Sequence, residues 1–208
     1  MQETQADPTT VGRKRHWRSQ LSAARSALSD QARDAANAQL TALAAQLSAV
    51  HTPGLTIAAY APLGVEPGSW DLLDTLGAGG ARVLLPIVAP GPAGPLQWAA
   101  YQGRDEMEPG RFGIPEPRGQ RLDPSTIAEA ELIVVPALAA DHRGVRLGRG
   151  AGYYDRTLPL TSSLRIALLY DGELVADPLP MDSHDIPVHA ALTPGHGLVR
   201  LPRRNSGL

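Results

Sequence analysis

The chain has 208 residues, 43% of them hydrophobic and 19% charged, and a formal net charge of −2. That length suits one domain with a core of its own, and the near-neutral charge leaves no basic footprint for nucleic acid or an anionic membrane. With no cysteine, disulfides, zinc–thiolate sites and a cysteine nucleophile are excluded. No apolar run approaches the length of a membrane span, and the polar start MQETQADPTT lacks a signal or anchor pattern, so a cytoplasmic protein is expected. Residues 1–11 and 202–208 read as flexible tails of a single domain covering 1–208. A first helix is predicted from Arg13 to Leu28, with Trp17, Leu21, Ala24 and Leu28 as its apolar stripe and Lys14, Arg18 and Arg25 along one flank. Lys14 is the only lysine among 19 basic residues. Ser29 is placed to cap a second helix reaching about Ser48.

The rhythm then shortens. LTIAAYAP (Leu55 to Pro62) is a predicted strand, SWDLLDTL a helix closed by GAGG, and Arg82 to Val88 a second strand. LQWAAYQ is a third strand, EPGRFGIPEP a long loop, and ELIVVP (Glu131 to Pro136) the most clearly buried strand. A helix beginning near Gly152 and a strand from Leu164 to Tyr170 follow. Apolar strands alternating with helices predict a three-layer α/β sandwich with a mainly parallel central sheet and an N-terminal helical pair.

Between the buried strand and the helix near Gly152 lies GVRLGRGAGYYDRTL, Gly144 to Leu158. The carboxyl end of a strand is where open α/β sheets bind ligands. Glycines let backbone N–H groups point at an anion, Arg146 and Arg149 add charge-assisted donors, and Asp155 suits a magnesium ion at phosphates. A P-loop would need GxxxxGK[ST], which the distant single lysine rules out, and Gly148 to Gly152 is one residue too short for GxGxxG.

At this string the sequence resembles the 5-formyltetrahydrofolate cyclo-ligase (5,10-methenyltetrahydrofolate synthetase) family. Lys14 and Arg18 match its K-x-x-x-R, YAPLGVE its strand-then-Glu segment, FGIPEP its [WFY]-x-I-P-x-P loop, and residues 131–158 its longest block. The resemblance implies conversion of 5-formyltetrahydrofolate to 5,10-methenyltetrahydrofolate with ATP and magnesium, releasing ADP and phosphate. It implies that Lys14, Arg18 and the run Arg146, Leu147, Gly148, Arg149, Gly150, Ala151, Gly152, Tyr153 and Tyr154 bind ATP. Leu63, Glu66, Arg149, Gly150 and Tyr153 would bind the folate, with Trp98, Tyr101 and Phe112 as further walls, and Asp155 would hold the metal. No nucleic-acid or membrane partner is implied, and a monomer, at most a weak dimer, is expected.

Two departures stand out. His189 occupies the place of an aspartate that helps the family bind magnesium, with Asp185 as a nearby substitute, and PGSW follows Glu66 where the family carries V-[DP]-T. His184 and His189 together would suggest a transition-metal site. The departures also suit a paralogue acting on another formamide or carboxylate, or a sensor that binds folate or nucleotide without turnover.

Overall fold

The structure, a computed structural model, describes residues 8–202. In chain order these form α1 (Pro8–Ser26), α2 (Asp30–Ala44), β1 (Thr56–Ala58), α3 (Trp70–Gly77), β2 (Arg82–Ile87), β3 (Gln97–Ala100), β4 (Met107–Pro109) and β5 (Pro115–Pro117). Then come β6 (Leu132–Pro136), β7 (Ala139–Asp141), β8 (Arg146–Leu147), α4 (Tyr153–Thr157), β9 (Leu164–Leu168), β10 (Leu174–Val175), β11 (Ala190–Thr193) and β12 (Gly197–Arg200).

The apolar strand segments assemble into one seven-stranded sheet, ordered β12-β11-β9-β6-β1-β2-β3. The five inner strands run parallel, and β3 and β12 close the edges antiparallel. Inner strands read as nearly unbroken apolar runs because both faces are covered. Ile57, Val83, Leu85, Leu132, Val134, Ile166 and Leu168 face one way, against Leu40 of α2 and Leu72, Leu73 and Leu76 of α3. Ala58, Leu84, Ile133, Val135, Ala167 and Ala191 alternate with them and face a second core with Ile127 and Leu158. Each fully buried leucine or isoleucine contributes about 2 kcal/mol over its exposed state. The second face is covered by short helical turns at 124–129 and 158–160 and by the five-residue α4, so the third layer is thin.

Capping follows the sequence. Ser29 Oγ accepts the Ala32 N–H at 3.2 Å and Ser69 Oγ the Leu72 N–H at 3.1 Å. Behind α3, a Cβ on Gly79 would lie 1.9 Å from the Val50 carbonyl oxygen, so only glycine lets the chain pass.

Several boundaries move. Residues 8–11, expected in the tail, already belong to α1; 1–7 and 203–208 lie outside the described residues. EPGRFGIPEP is not a plain loop but the β4–β5 hairpin. An unforeseen small sheet, β10-β7-β8, joins β7 after β6 to β8 in the glycine-rich segment and to β10 beyond β9. The two N-terminal helices serve different cores: α2 packs on the main sheet, and α1 lays Leu21 and Trp17 on the small sheet with Val145, Leu147 and Leu179. The buried face of α1 therefore reads Lys14, Leu21 and Arg25, whereas Ala24 of the expected stripe is exposed. No helix among the described residues is long and apolar enough to cross a membrane.

Candidate active site

From β1 the chain moves outward to β2 and β3, then returns to lay β6 on the other side of β1. Ligands bind at the carboxyl ends of strands where the order reverses in this way. A cavity of about 190 Å³ opens there, lined by Tyr60 and Ala61 after β1, Pro86 and Val88 at β2, and Pro136 and Ala137 at β6. Its other wall is the glycine-rich segment from Arg146 through Asp155, with Leu63, Glu66, Leu96 and Ile114 at the sides. A second chamber of about 380 Å³, lined by Arg18, Ser22, Ser26, Val65 and Leu138, adjoins it and shares Arg25 and Arg149.

The loop owes its shape to glycine. Gly150 sits at φ +104°, which a side chain rarely adopts, and a Cβ there would lie 3.2 Å from the Arg18 guanidinium carbon. Gly152, at φ +74°, precedes α4. Because α4 spans only five residues, its dipole adds little, and the anion-binding character rests on the arginines and loop amides.

Those cations already have partners. Arg18 Nε donates to the Gly148 carbonyl at 2.9 Å, and Arg146 is paired with Asp155. Arg149 Nε lies 3.1 Å from Glu66, whose other oxygen accepts the Leu63 N–H at 3.0 Å. Two polar atoms are left over. Arg146 Nε and the Tyr154 hydroxyl are buried without a hydrogen-bond partner among the described residues, and the guanidinium lies 5.9 Å from the tyrosine ring centre. An unpaired buried donor costs about 1–3 kcal/mol, which a ligand in the cavity would recover. Burial pushes the Tyr154 phenol above its ordinary range, and burial, then the Glu66 charge, does the same for Tyr60. The Tyr60 hydroxyl donates to the Pro67 carbonyl at 2.5 Å.

Leu63, Glu66, Arg146, Gly148, Arg149, Gly150, Ala151, Gly152, Tyr153, Tyr154 and Asp155 all line the cavity as the sequence suggests. Leu147 does not: its side chain is buried in the third core under α1. Lys14 is also elsewhere, its amine held by Asp182 at 2.7 Å and Asp185 at 2.5 Å, with all three side chains nearly buried. Three expected walls are absent. Trp98 is 0% exposed in the second core, Tyr101 bonds Asp74 and stacks on Trp70, and Phe112 points out to solvent, 64% exposed. Ile114, two residues after Phe112, takes the wall position.

Residues the sequence reading passed over are Arg25 and the apolar strand ends Pro86, Val88, Leu96, Pro136 and Ala137. Arg25 had a legible signal, its place on the Lys14–Arg18 flank. The strand ends had none, since their apolar character matches ordinary core.

The metal expectations divide. Asp155 keeps one oxygen beyond its bond to Arg146, and the only other carboxylate on the cavity wall among the described residues, Glu66, is tied to Arg149 and Leu63. This donor set fits a magnesium ion carried mainly by nucleotide phosphates, with Asp155 adding a hard oxygen. His189 plays no part there. It stands before β11, at the opposite, amino end of the parallel sheet, where Nδ1 accepts the Arg165 N–H at 3.0 Å. The structure does not bring His184 and His189 together: His184 groups with Asp182 and Asp185, and that cluster holds Lys14.

A sheet with its cavity at the reversal point, walled by a glycine–arginine loop, defines an α/β protein with a candidate site for an anionic ligand. Comparison with known proteins makes this specific. The profile of the 5-formyltetrahydrofolate cyclo-ligase family matches residues 10–194, and the chain belongs to that family. It is 47% identical to the 5-formyltetrahydrofolate cyclo-ligase of Mycolicibacterium smegmatis over 77% of this chain and 84% of that one. It is 32% identical to the Escherichia coli enzyme of the same name over 67% and 78% of the two chains. Its fold is similar to the 5,10-methenyltetrahydrofolate synthetase of Aquifex aeolicus, with TM-score 0.75, 28% identity and 94% and 96% coverage.

Proposed function

We propose that the chain converts 5-formyltetrahydrofolate and ATP to 5,10-methenyltetrahydrofolate, ADP and phosphate. The observation that carries this reading is the pair of buried, unpartnered donors, Arg146 Nε and the Tyr154 hydroxyl, in a cavity walled by the loop that distinguishes the family. The oxygen of an N5-formyl group is a poor leaving group until it is phosphorylated. The formyl oxygen attacks the γ-phosphorus, the bond to the bridging oxygen breaks and ADP leaves. N10 then attacks the activated carbon and loses its proton, and the C–O bond breaks with phosphate departing. No protein nucleophile is needed. The site supplies position and positive charge, as phosphoryl transfer requires.

In this reading the apolar wall of Val88, Leu96 and Ile114 takes the folate ring system, and Glu66 accepts pterin N–H groups. Loop amides, Arg146 and Arg149 hold the phosphates, with Arg18 supporting the loop through Gly148. Lys14 would have to leave Asp182 and Asp185 to touch a phosphate, so its first role is to seat α1. Magnesium, when bound beside Asp155, would neutralise charge on the transferring phosphoryl group. A monomeric state is part of this reading and is checked by sedimentation. A cytoplasmic location belongs to the same proposal and is checked by fractionation. The direct test is growth of the methenyl-folate absorbance band when protein, 5-formyltetrahydrofolate, ATP and magnesium are mixed. Growth that requires ATP supports the reading. A protein that binds ATP and folate yet leaves the band flat would sink it and favour a binding role.

A further inference from the structure

Arg25 stands where the two chambers meet, lining both. Its side chain is 2% exposed and rigidly held. Nε donates to Glu173 Oε1 at 2.7 Å, while Nη2 donates to Glu173 Oε2 at 2.7 Å and to the Ala137 carbonyl at 2.8 Å. Ala137 directly follows the switch-point strand β6, and the guanidinium carbon also lies 5.8 Å from the Tyr170 ring centre. Glu173 is itself fixed, since Oε2 accepts the Tyr170 N–H at 2.8 Å. Those bonds consume Nε and Nη2 and leave Nη1 without an acceptor among the described residues.

A buried ion pair of this kind is a poor device for stability alone, because two apolar side chains of similar volume would serve as well or better. It is a good device for holding a guanidinium in one orientation, since Arg presents its donors in a fixed fork. The chambers on either side offer complementary neighbours: Arg18, Ser22 and Ser26 on one, Tyr60 and Glu66 on the other.

We propose that Arg25 is a further substrate-binding residue, its Nη1 donating to an anionic oxygen at the partition between the chambers, with Glu173 as the positioning residue that aims it. The inference rests on the proposed reaction, whose substrates offer that chemistry twice, as ATP phosphate and as the glutamate carboxylates of the folate. Arg25 adds a donor at the strand end that the glycine-rich loop does not supply.

The test compares wild type with Arg25→Gln/Glu173→Gln, a neutral pair of similar volume that can still hydrogen-bond, and with Arg25→Lys. Calorimetry measures binding of a non-hydrolysable ATP analogue with magnesium, and separately of mono- and triglutamyl 5-formyltetrahydrofolate. Thermal melts accompany both. The double variant should melt cooperatively and lose tenfold or more in affinity for one ligand while keeping the other within twofold. The ligand that loses identifies the anion. Arg25→Lys, which keeps charge but not the fork, should recover part of the loss. Unchanged affinities, or equal losses for both ligands alongside a lowered melting temperature, would overturn the inference by reducing Arg25 to a structural strut. If the double variant does not fold, Arg25→Lys decides: wild-type affinity for both ligands overturns the proposal, and a selective loss upholds it. A wild-type protein that binds neither ligand would instead overturn the reaction itself, and this inference with it.

Discussion

The two ends of one parallel sheet are built to opposite specifications. At the amino end lies the roomier hollow, about 590 Å³, lined by residues such as Ser48, Glu131, His189 and Arg200. Two of its polar groups are matched within the protein: Glu131 accepts the Thr56 N–H at 2.8 Å, and His189 is bonded to Arg165. At the carboxyl end the chamber is smaller, yet Arg146 Nε and the Tyr154 hydroxyl are left unmatched. Size does not mark the site. Two unmatched donors together on one cavity wall do; the other buried orphan among the described residues, Trp98 Nε1, sits alone inside the second core.

The largest expected effect breaks the carboxyl end as a whole. Lys14→Met leaves Asp182 and Asp185 without their shared cation, and losing one partner of a nearly buried charge cluster costs about 3–5 kcal/mol. Since α1 also delivers Arg18 and Arg25, stability in urea and turnover should fall together. Neutralising both carboxylates as Asn in the same protein should restore most of the stability. If Lys14→Met melts like wild type, the anchoring role assigned to Lys14 is wrong.

Next is Asp155→Asn, which keeps a hydrogen-bond acceptor for Arg146 but removes the charge. Turnover should drop about 100-fold, equivalent to ~2.7 kcal/mol at the transition state, with only a small change in melting temperature. Steady-state rates at saturating substrate decide it, and a drop below threefold would remove Asp155 from the reaction.

Alkali sharpens the contrast without mutation. Tyr60 and Tyr154 have folded-state pKa values raised above the ordinary value by burial. The folded protein keeps those protons where the unfolded chain gives them up, so the stability they contribute is whole below pH ~10 and falls as pH rises beyond it, by up to about 1.4 kcal/mol per pH unit for each phenol. Phenolate absorbance should therefore lag for Tyr60 and Tyr154 until the protein unfolds, and also for Tyr101 and Tyr170, whose phenols burial raises as well. Titration of all five tyrosines near the ordinary value in folded protein would contradict the burial.

The smallest effect belongs to the amino end. His189→Asp places a carboxylate beside the Arg165 guanidinium, and turnover should stay within twofold of wild type while stability shifts by less than ~1 kcal/mol. A large gain in activity would mean that His189 is a failed metal ligand after all.

How much of this was legible depended on the range of the signal. The Ser29 cap, the apolar strands and the glycine-rich segment are local patterns, and each lies close to where the sequence puts it. His189, Trp98 and Phe112 misled because motif position says nothing about which end or face of a sheet a residue reaches. The stripe of α1 misled for another reason. Its buried face carries Lys14 and Arg25, and an apolar-periodicity argument discards charged positions whose partners, Asp182, Asp185 and Glu173, lie more than 140 residues away. Long-range ion pairing leaves no trace in a window of one helix.

The central claim is that ligand completes the carboxyl end and leaves the amino end untouched. Backbone hydrogen exchange, with and without the ATP analogue, magnesium and 5-formyltetrahydrofolate, tests it most directly. The account predicts slowed exchange across residues 146–155 and at 60–66, with no change at 189–200. Protection concentrated at 189–200, with the glycine-rich loop exchanging as fast as before, would contradict it.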